Sequence, residues 1–445
     1  MMNASRCLGR TAHLTKQTLL KNAFKFNKST LCRTYSTSKG NADDICIGNN
    51  NYQTDKWTNV TPRVISKIGC NLHNKKNHPL NLLRLRVQNY FYNPQFLNRH
   101  GTPIFAVFDS INPVVTTYQN FDSLLVPKDH VSRSRSDTYY INNQYLLRAH
   151  TSAHQEDLIK MGFDAFLVVG DVYRRDEIDS SHYPIFHQME GVHLFSGHEL
   201  FSRFTSDHSD LNIFEKGKRT KDKQETHSVD ADKLLEHDLK KSLIGLAHAL
   251  FGPDVETRWV DAYFPFTHPS WELEIRYQGK WMEVLGCGII EQQLLNNAGA
   301  STKVGWAFGL GLERLAMRLY QIPDIRLFWS QDESFLRQFQ VASPDVPVTY
   351  KQISEFPACI NDISFWIPEE YNSNDFYDLV RTIAGDLAEH VALVDEFTHP
   401  NTNRTSHCYR INYRHMEKTF TKDEVNVIHT QISEAAKKIL GVEVR

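Results

Sequence analysis

Three short stretches of the chain concentrate side chains fit for binding charged groups. Between Tyr173 and Gly191, the paired Arg174 and Arg175 are followed by Asp176, Glu177, Asp179 and His182. Phe186, Gln188 and Glu190 then alternate with Ile185, His187 and Met189. On a strand, that alternation puts Phe186, Gln188 and Glu190 on one face. A glutamine and a glutamate amid Ile185, Met189, Val192 and Leu194 are costly to bury unless a polar partner meets them, and a bound ligand is such a partner. Guanidinium groups grip phosphate bidentately, and acceptors beside them suit adenine or Mg²⁺, so a nucleotide fits this composition. A surface hairpin with routine ion pairs fits it too.

The second stretch is Gly305 to Leu315. Its pattern predicts strand, glycine turn and helix, with Leu312, Leu315, Ala316 and Leu319 as the buried stripe and Arg314 pointing away. Gly309 and Gly311 permit close backbone approach to a ligand, although such a pair is usually only a turn. Neither the dinucleotide fingerprint nor a P-loop is present, which disfavours a Rossmann or P-loop nucleotide site. The third stretch, Arg148 to Gln155, clusters His150, Thr151, Ser152 and His154. Alone, it reads as an N-cap and the start of a helix.

Several elements must position these groups. The spacing predicts a helix over 80–96, an extended segment over 104–126, and strands over 165–174 and 185–195. A helix over 234–251 stops at Gly252 and Pro253. Trp271, Leu273, Ile275 and Tyr277 alternate with Glu272, Glu274 and Arg276, the mark of a half-buried antiparallel strand. Residues 41–78 read as a loosely ordered lead-in, and the charged run 216–232 as a solvated loop. From Cys359 to the end the order is strand, helix, strand, strand, helix, strand, with Thr421 and Glu424 as a capping box. That is the ferredoxin-like order. The fold class is therefore α+β.

The 445 residues carry a net charge of −2, so any nucleic-acid site must be a local patch. No apolar run approaches the roughly 20 residues of a membrane span. The seven cysteines form no C-x-x-C pair, which suits a reducing compartment without structural zinc. The first forty residues hold eight basic side chains, and the first acid is Asp43. This is the composition of an organelle-import presequence, or of a basic tail that binds RNA directly.

Together these residues resemble the phenylalanine branch of the class II aminoacyl-tRNA ligases. Pro127 matches the first class motif, Tyr173 to Glu190 the second, and Gly309 to Arg314 the third. The His150-Thr-Ser run, Tyr263 to Phe266, and Leu285 to Gly288 match the phenylalanine enzymes more narrowly. Asn361 to Trp366 and Ser406 to Met416 are similar to that family's ferredoxin-fold anticodon-binding domain. Both parts on one chain resemble the organellar form. Asp176 stands where the family often has glutamate, and Val131 where it usually has proline.

The resemblance implies a class II antiparallel sheet with flanking helices over residues 79–325, a linker over 326–350 and the anticodon-binding domain over 351–445. The presequence would be 1–40 and the lead-in 41–78. It implies ATP and Mg²⁺, tRNA(Phe) and L-phenylalanine as partners, a monomer, no membrane, and a mitochondrial matrix location. Arg174, Arg314 and His182 would be catalytic. Asp176, Phe186 and Glu283 would join them around ATP, with Glu283 holding the metal and the adenine between Phe186 and Arg314. The substrate site would comprise His150, Ser152, Ala153, His154, Gln155, Arg174, Ser181, His182, Tyr183, Gln188, Met189, Glu190, Phe264, Phe266, Glu283, Ala307 and Phe308. Arg410 and Arg414 would face tRNA.

Overall fold

A computed structural model describes residues 44–202, 211–352, 356–415 and 419–445. The presequence reading lies outside them. Strands β1 (Ile45–Ile47) and β2 (Asn50–Tyr52) pair as a hairpin, and β4 (Val114–Thr116) pairs with β5 (Tyr145–Leu147). The main sheet holds β3 (Ala106–Phe108), β6 (Ala165–Tyr173), β7 (Ile185–Ser196), β8 (Thr257–Phe264), β9 (Thr267–Tyr277), β10 (Lys280–Ile290) and β11 (Lys303–Gly311), in the order β3-β6-β7-β11-β10-β9-β8. Every pair is antiparallel except β3 with β6 at the edge.

Period-two alternation divides this sheet into two environments. On one face Met189, Phe195, Leu273, Ile275, Phe308 and Leu310 enter the main core, against helices Pro79–Phe91 and Val229–Phe251. On the other, Val192, Leu194 and Ala307 join a smaller core with Phe121, Leu124 and Leu158. Between that smaller core and the sheet's open end, β7 presents Glu190 and Gln188.

Four expectations change. Residues 44–78 are not a loose lead-in: they form the hairpin and helix Pro62–Lys67, and Ile47, Val60, Val64 and Leu72 enter the main core. The run 216–232 is not simply solvated, because Lys223, Gln224 and His227 are buried. His227 Nδ1 meets Asp232 at 2.6 Å and its Nε2 meets Gln292 at 2.9 Å, while Gln224 donates to the carbonyls of His268 and Ile290. Burial of these groups is possible because each has a partner. The extended reading of 104–126 holds only for β3 and β4, since Thr116 and Gln119 form a capping box that opens a helical turn. The stretch 326–350 is more than a linker, because Phe328, Phe335 and Phe339 pack into the main core.

The C-terminal unit is a four-stranded sheet of β12 (Cys359–Trp366), β13 (Ala388–Thr398), β14 (Thr405–Tyr413) and β15 (Glu443–Val444), ordered β13-β14-β12-β15. Helices Ser373–Ala384 and Lys422–Ile439 cover one face through Phe376, Val380, Val425, Ile428 and Ile432. The Thr421–Glu424 capping box starts the second helix, as its sequence predicts. This unit docks on the loop between β6 and β7. Arg175 Nε reaches Asp378 at 2.5 Å and its Nη2 reaches Asp375 at 2.8 Å, while the Tyr139 hydroxyl donates to Asp378 at 2.7 Å. Arg381 donates to the carbonyls of Asp176 and Glu177. Burial alone would lower the pKa of Arg175, but Asp378, Tyr139 and Asp375 hold it above the ordinary value. Removing Asp378 leaves Arg175 only the half-exposed Asp375 as an acid partner, so the cost falls below the roughly 3–5 kcal/mol of a fully unpaired buried charge. Asp378→Ala should therefore lower the thermal midpoint by several degrees, read by circular dichroism. An unchanged midpoint would show that the contact adds no stability.

Candidate active site

The site is built on a row of residues that run across three strands. Glu190 on β7 sits opposite Gly309 on β11, which sits opposite Gly286 on β10. Neighbouring strands lie about 4.8 Å apart, so the row is about 10 Å long. A carboxylate stands at one end. At the other, the Phe264 ring lies over Gly286, where an added Cβ would come within 2.7 Å of it. The middle is bare: a Cβ on Gly309 would meet nothing within 4 Å, nor would one on Gly311 in the next row. Phe264 and Phe266 lie nearly parallel, 5.9 Å apart. The result is an apolar-walled floor with a negative end, which matches an α-amino acid with a flat apolar side chain.

Glu190 is 3% exposed and has no cation beside it among the described residues. Burial raises its pKa to about 7, against the pull of hydroxyl hydrogen bonds from Ser152 and Thr151. Thr151 Oγ1 donates at 3.2 Å, and the Thr151 backbone N–H donates to Gln188 Oε1 at 3.3 Å. These two residues belong to the 3₁₀ turn Thr151–His154. Burial drives His150 down to about 3, with Arg174 adding repulsion, so it is neutral at physiological pH. Its ring stands 6.3 Å from Phe266.

The 149–155 segment is fixed by a residue that the sequence reading did not assign. Arg148, 1% exposed, gives Nε to the Asp171 carbonyl at 2.7 Å, Nη2 to the Asp171 carboxylate at 2.8 Å and Nη1 to His154 Nε2 at 2.8 Å. It passes so close to Gly170 that a Cβ there would lie 2.0 Å from Nη2. His154 is therefore turned to Arg148 and not to the floor, and burial holds it neutral as well. Gln155 and Ala153 are also buried in this turn. Ser152 remains at Glu190.

The other end of the cleft is positive. Arg174, first residue after β6, gives Nε to the Ala149 carbonyl at 2.9 Å and lies 5.3 Å over the Phe186 ring. Its outer nitrogens have no hydrogen-bonding partner among the described residues. The protein around it lowers its pKa by desolvation, Asp176 opposes that, and Arg314 lowers it further. Two guanidinium groups thus repel each other across open space, an arrangement that an anion would relieve. Arg314 meanwhile pairs with Glu283 at 2.6 Å, both largely exposed, which is a weak contact that a ligand can exchange. On the adjoining strands Glu272 is raised by burial and by its neighbours Glu283 and Glu274. Glu283 is paired with Arg314 and Glu274 with Arg258, and among the described residues no cluster of three or more His, Cys, Asp or Glu is arranged to hold a metal ion.

Several sequence assignments do not converge here. Met189 and Phe308 face the main core, because strand neighbours point to opposite faces. Phe308 stacks on Phe91 at 5.3 Å. The Tyr183 hydroxyl donates to Asp386 of the C-terminal unit at 2.9 Å, and its ring stacks on Trp329. His182 and Ser181 are both tied to Asp179. His182 also lines a small cavity, of about 30 Å³, between the β6–β7 loop and the C-terminal unit. In that unit Arg410 is held bidentately by Asp362 at 2.8 Å, and Arg414 by Glu389 at 3.0 Å. The aromatic side chains Trp366, Phe397 and His399 cluster at the other end of the sheet, with Arg404 and Arg445 stacked on Trp366. No sequence periodicity joins these three, because they come from two strands and a turn.

Two outcomes follow from this geometry. Gly309→Ala adds a methyl to open space, so thermal stability should stay within about 0.5 kcal/mol of the parent, the usual range for such substitutions. Phenylalanine binding, measured by calorimetry, should weaken at least tenfold, because the methyl rises from the floor. Equal binding would show that the floor is not occupied. In the empty site Glu190 is protonated below about pH 7 and ionised above it. An ammonium ligand needs the ionised form, so phenylalanine affinity should fall about tenfold from pH 8 to pH 6. A flat profile would contradict the assignment of Glu190.

Residues 65–202 and 223–339 match the family described as tRNA synthetases class II core domain (F), and residues 354–445 match the ferredoxin-fold anticodon binding domain. The chain is 59% identical over 395 residues to the mitochondrial phenylalanine–tRNA ligase of Mus musculus, covering 88% of this chain and 87% of that one. It is 50% identical over 440 residues to the probable mitochondrial phenylalanine–tRNA ligase of Drosophila melanogaster, covering 94% and 97%. With the Saccharomyces cerevisiae mitochondrial phenylalanine–tRNA ligase it shares 40% identity over 473 aligned positions, covering 93% and 97%. The carboxylate and arginine ends of this cleft, and the anticodon-binding unit docked beside it, thus sit on a chain that belongs to the phenylalanine–tRNA ligase family of class II synthetases.

Proposed function

We propose that this chain joins L-phenylalanine to tRNA(Phe) through a phenylalanyl-adenylate, for translation in the mitochondrion. The observation that carries the reading is a pair of incompletely met charges in one cleft: a buried Glu190 with no cation beside it among the described residues, and an Arg174 whose outer nitrogens meet no acceptor among them. Phenylalanine brings the ammonium and ATP brings the phosphates.

In this reading Glu190, Gln188 and Ser152 bind the ammonium group, and Phe264 and Phe266 flank the ring. Edge contacts between aromatic rings add about 0.5–1.5 kcal/mol per pair beyond their buried area. Ala307 and Gly309 leave room beneath it. Arg174 holds the substrate carboxylate against the α-phosphate, while Arg314 and Phe186 enclose the adenine. The carboxylate attacks the α-phosphorus in line and pyrophosphate leaves, so no protein nucleophile is needed. Bringing the two together and opposing the developing charge with Arg174 accounts for the rate. Mg²⁺ would be held by Glu283, with Glu272 and Glu274 close by, and would supply charge neutralisation for the phosphates. The tRNA terminal 2′-hydroxyl then takes the acyl group.

The C-terminal unit reads the anticodon loop. Single-stranded bases are recognised by stacking and hydrogen bonds. Trp366, Phe397 and His399 supply ring faces, and Arg404 and Arg445 supply charge next to them. Arg410 and Arg414 contribute only after leaving their acid partners. The domain limits proposed are 1–40 for an import presequence and 351–445 for the anticodon unit. The protein acts as a monomer in the matrix. Among the described residues no helix is long and apolar enough to cross a membrane.

The test is amino-acid-dependent ATP–pyrophosphate exchange on residues 41–445 with all twenty amino acids. Phenylalanine alone should drive it, and Arg174→Ala should reduce it at least a hundredfold with the fold intact. Exchange driven by another amino acid would overturn the substrate, and no exchange from a protein that binds tRNA would overturn the activity.

A further inference from the structure

The two arms of the adenine slot, Phe186 and Arg314, lie next in sequence to a buried pair that the reaction itself does not use. The ladder between β7 and β11 ends at Gln188 and Gly311. Beyond that point the backbone N–H of His187 has lost its strand partner. Glu313, in the first turn of helix Leu312–Leu319, supplies a substitute: its Oε2 accepts from the His187 N–H at 2.7 Å. Its Oε1 meets the His187 ring at Nδ1, also at 2.7 Å. The two side chains are 1% and 2% exposed. Unpaired, each would leave a buried polar group unsatisfied, so the contact is strongly specified.

A carboxylate held at both oxygens cannot rotate, and it fixes the phase at which the helix leaves the sheet. Leu312, Leu315 and Ala316 anchor the same turn in the core. Arg314 is therefore presented outward at one height. On β7 alternation turns His187 inward and Phe186 towards the cleft. The rings of His73 and Trp329 flank His187 at 5.2 Å and 6.2 Å, and His73 is itself held by the Asp109 carbonyl at 2.8 Å. One clamp thus ties together the two elements whose exposed neighbours must sit on opposite sides of a flat ring. Such slots tolerate little error, since a misplacement of about 1 Å can cost on the order of 10²-fold in rate.

We propose that His187 and Glu313 are positioning residues that set the gap between Phe186 and Arg314, and with it the affinity for the adenine ring. The inference rests on the reading of Phe186 and Arg314 as adenine-binding residues. It predicts a split between the two halves of ATP. In exchange assays driven by phenylalanine, Glu313→Leu, which removes both acceptors, should raise the KM for ATP and the inhibition constant of adenosine at least tenfold. The KM for phenylalanine and the inhibition constant of tripolyphosphate should stay within twofold. His187→Leu removes only the ring donor and should show the same split; it carries the comparison should Glu313→Leu not fold. His187→Gln keeps a donor that reaches Oε1, and should restore most of the adenosine affinity. Adenosine and tripolyphosphate weakened alike, or only the melting temperature lowered, would overturn the proposal and leave the pair a general support. If adenosine does not compete with ATP on the parent protein, the adenine reading itself falls, and the proposal falls with it.

Discussion

An unpaired carboxylate in the interior of the sheet is the constraint on which the rest of the site depends. Glu190 lies on a strand whose opposite face is core, and burial pushes its pKa to about 7. A carboxylate without a cation is tolerated there only because Thr151 and Ser152 share its charge by hydrogen bonding. Those two residues are held in turn by the turn 151–154, and the turn by Arg148. Arg148 needs Gly170 to pass and Asp171 to neutralise it. A chain of buried polar contacts, each satisfied by the next, therefore ends at one group whose partner must come from outside.

The same logic acts in reverse at the phosphate end. Arg174 is opposed only by the nearby Asp176, and Arg314 adds repulsion to it. Arg314 takes Glu283 on the surface, where the contact is worth about 0–1 kcal/mol. Arg174 has only a carbonyl and a ring face. The cleft is thus poised, with a negative well for an ammonium group and a positive one for phosphate. The glycine floor between them decides that a flat side chain, and not a branched one, spans the remaining space.

How much of this was legible in the sequence followed from the range of the interactions. Alternation on β7 predicted the shared face of Phe186, Gln188 and Glu190, and the stripe Leu312, Leu315 and Ala316 predicted the outward turn of Arg314. Both are local periodicities. The same alternation turns Met189 and Phe308 to the core face, against the pocket role that the family resemblance implies for them. Tyr183 differs in another way. Its hydroxyl donates to Asp386, some two hundred residues away, and no local pattern reports such a contact. Residues 44–78 and 216–232 look polar in sequence because their few apolar and amide groups are spaced for tertiary partners, not for a helix or strand period.

The most economical feature of the structure is a change of direction between adjacent residues. Arg174 turns into the cleft and Arg175 turns away to Asp375 and Asp378 of the C-terminal unit. Arg381 from that unit caps the carbonyls of the next two residues, Asp176 and Glu177. The loop proposed to grip the nucleotide is thus the same loop on which the anticodon-binding unit rests, and it offers that unit both side-chain and backbone contacts. A peptide of three residues has few independent dihedrals. The direction of Arg174 and the seat of the C-terminal unit are therefore two readings of one backbone conformation.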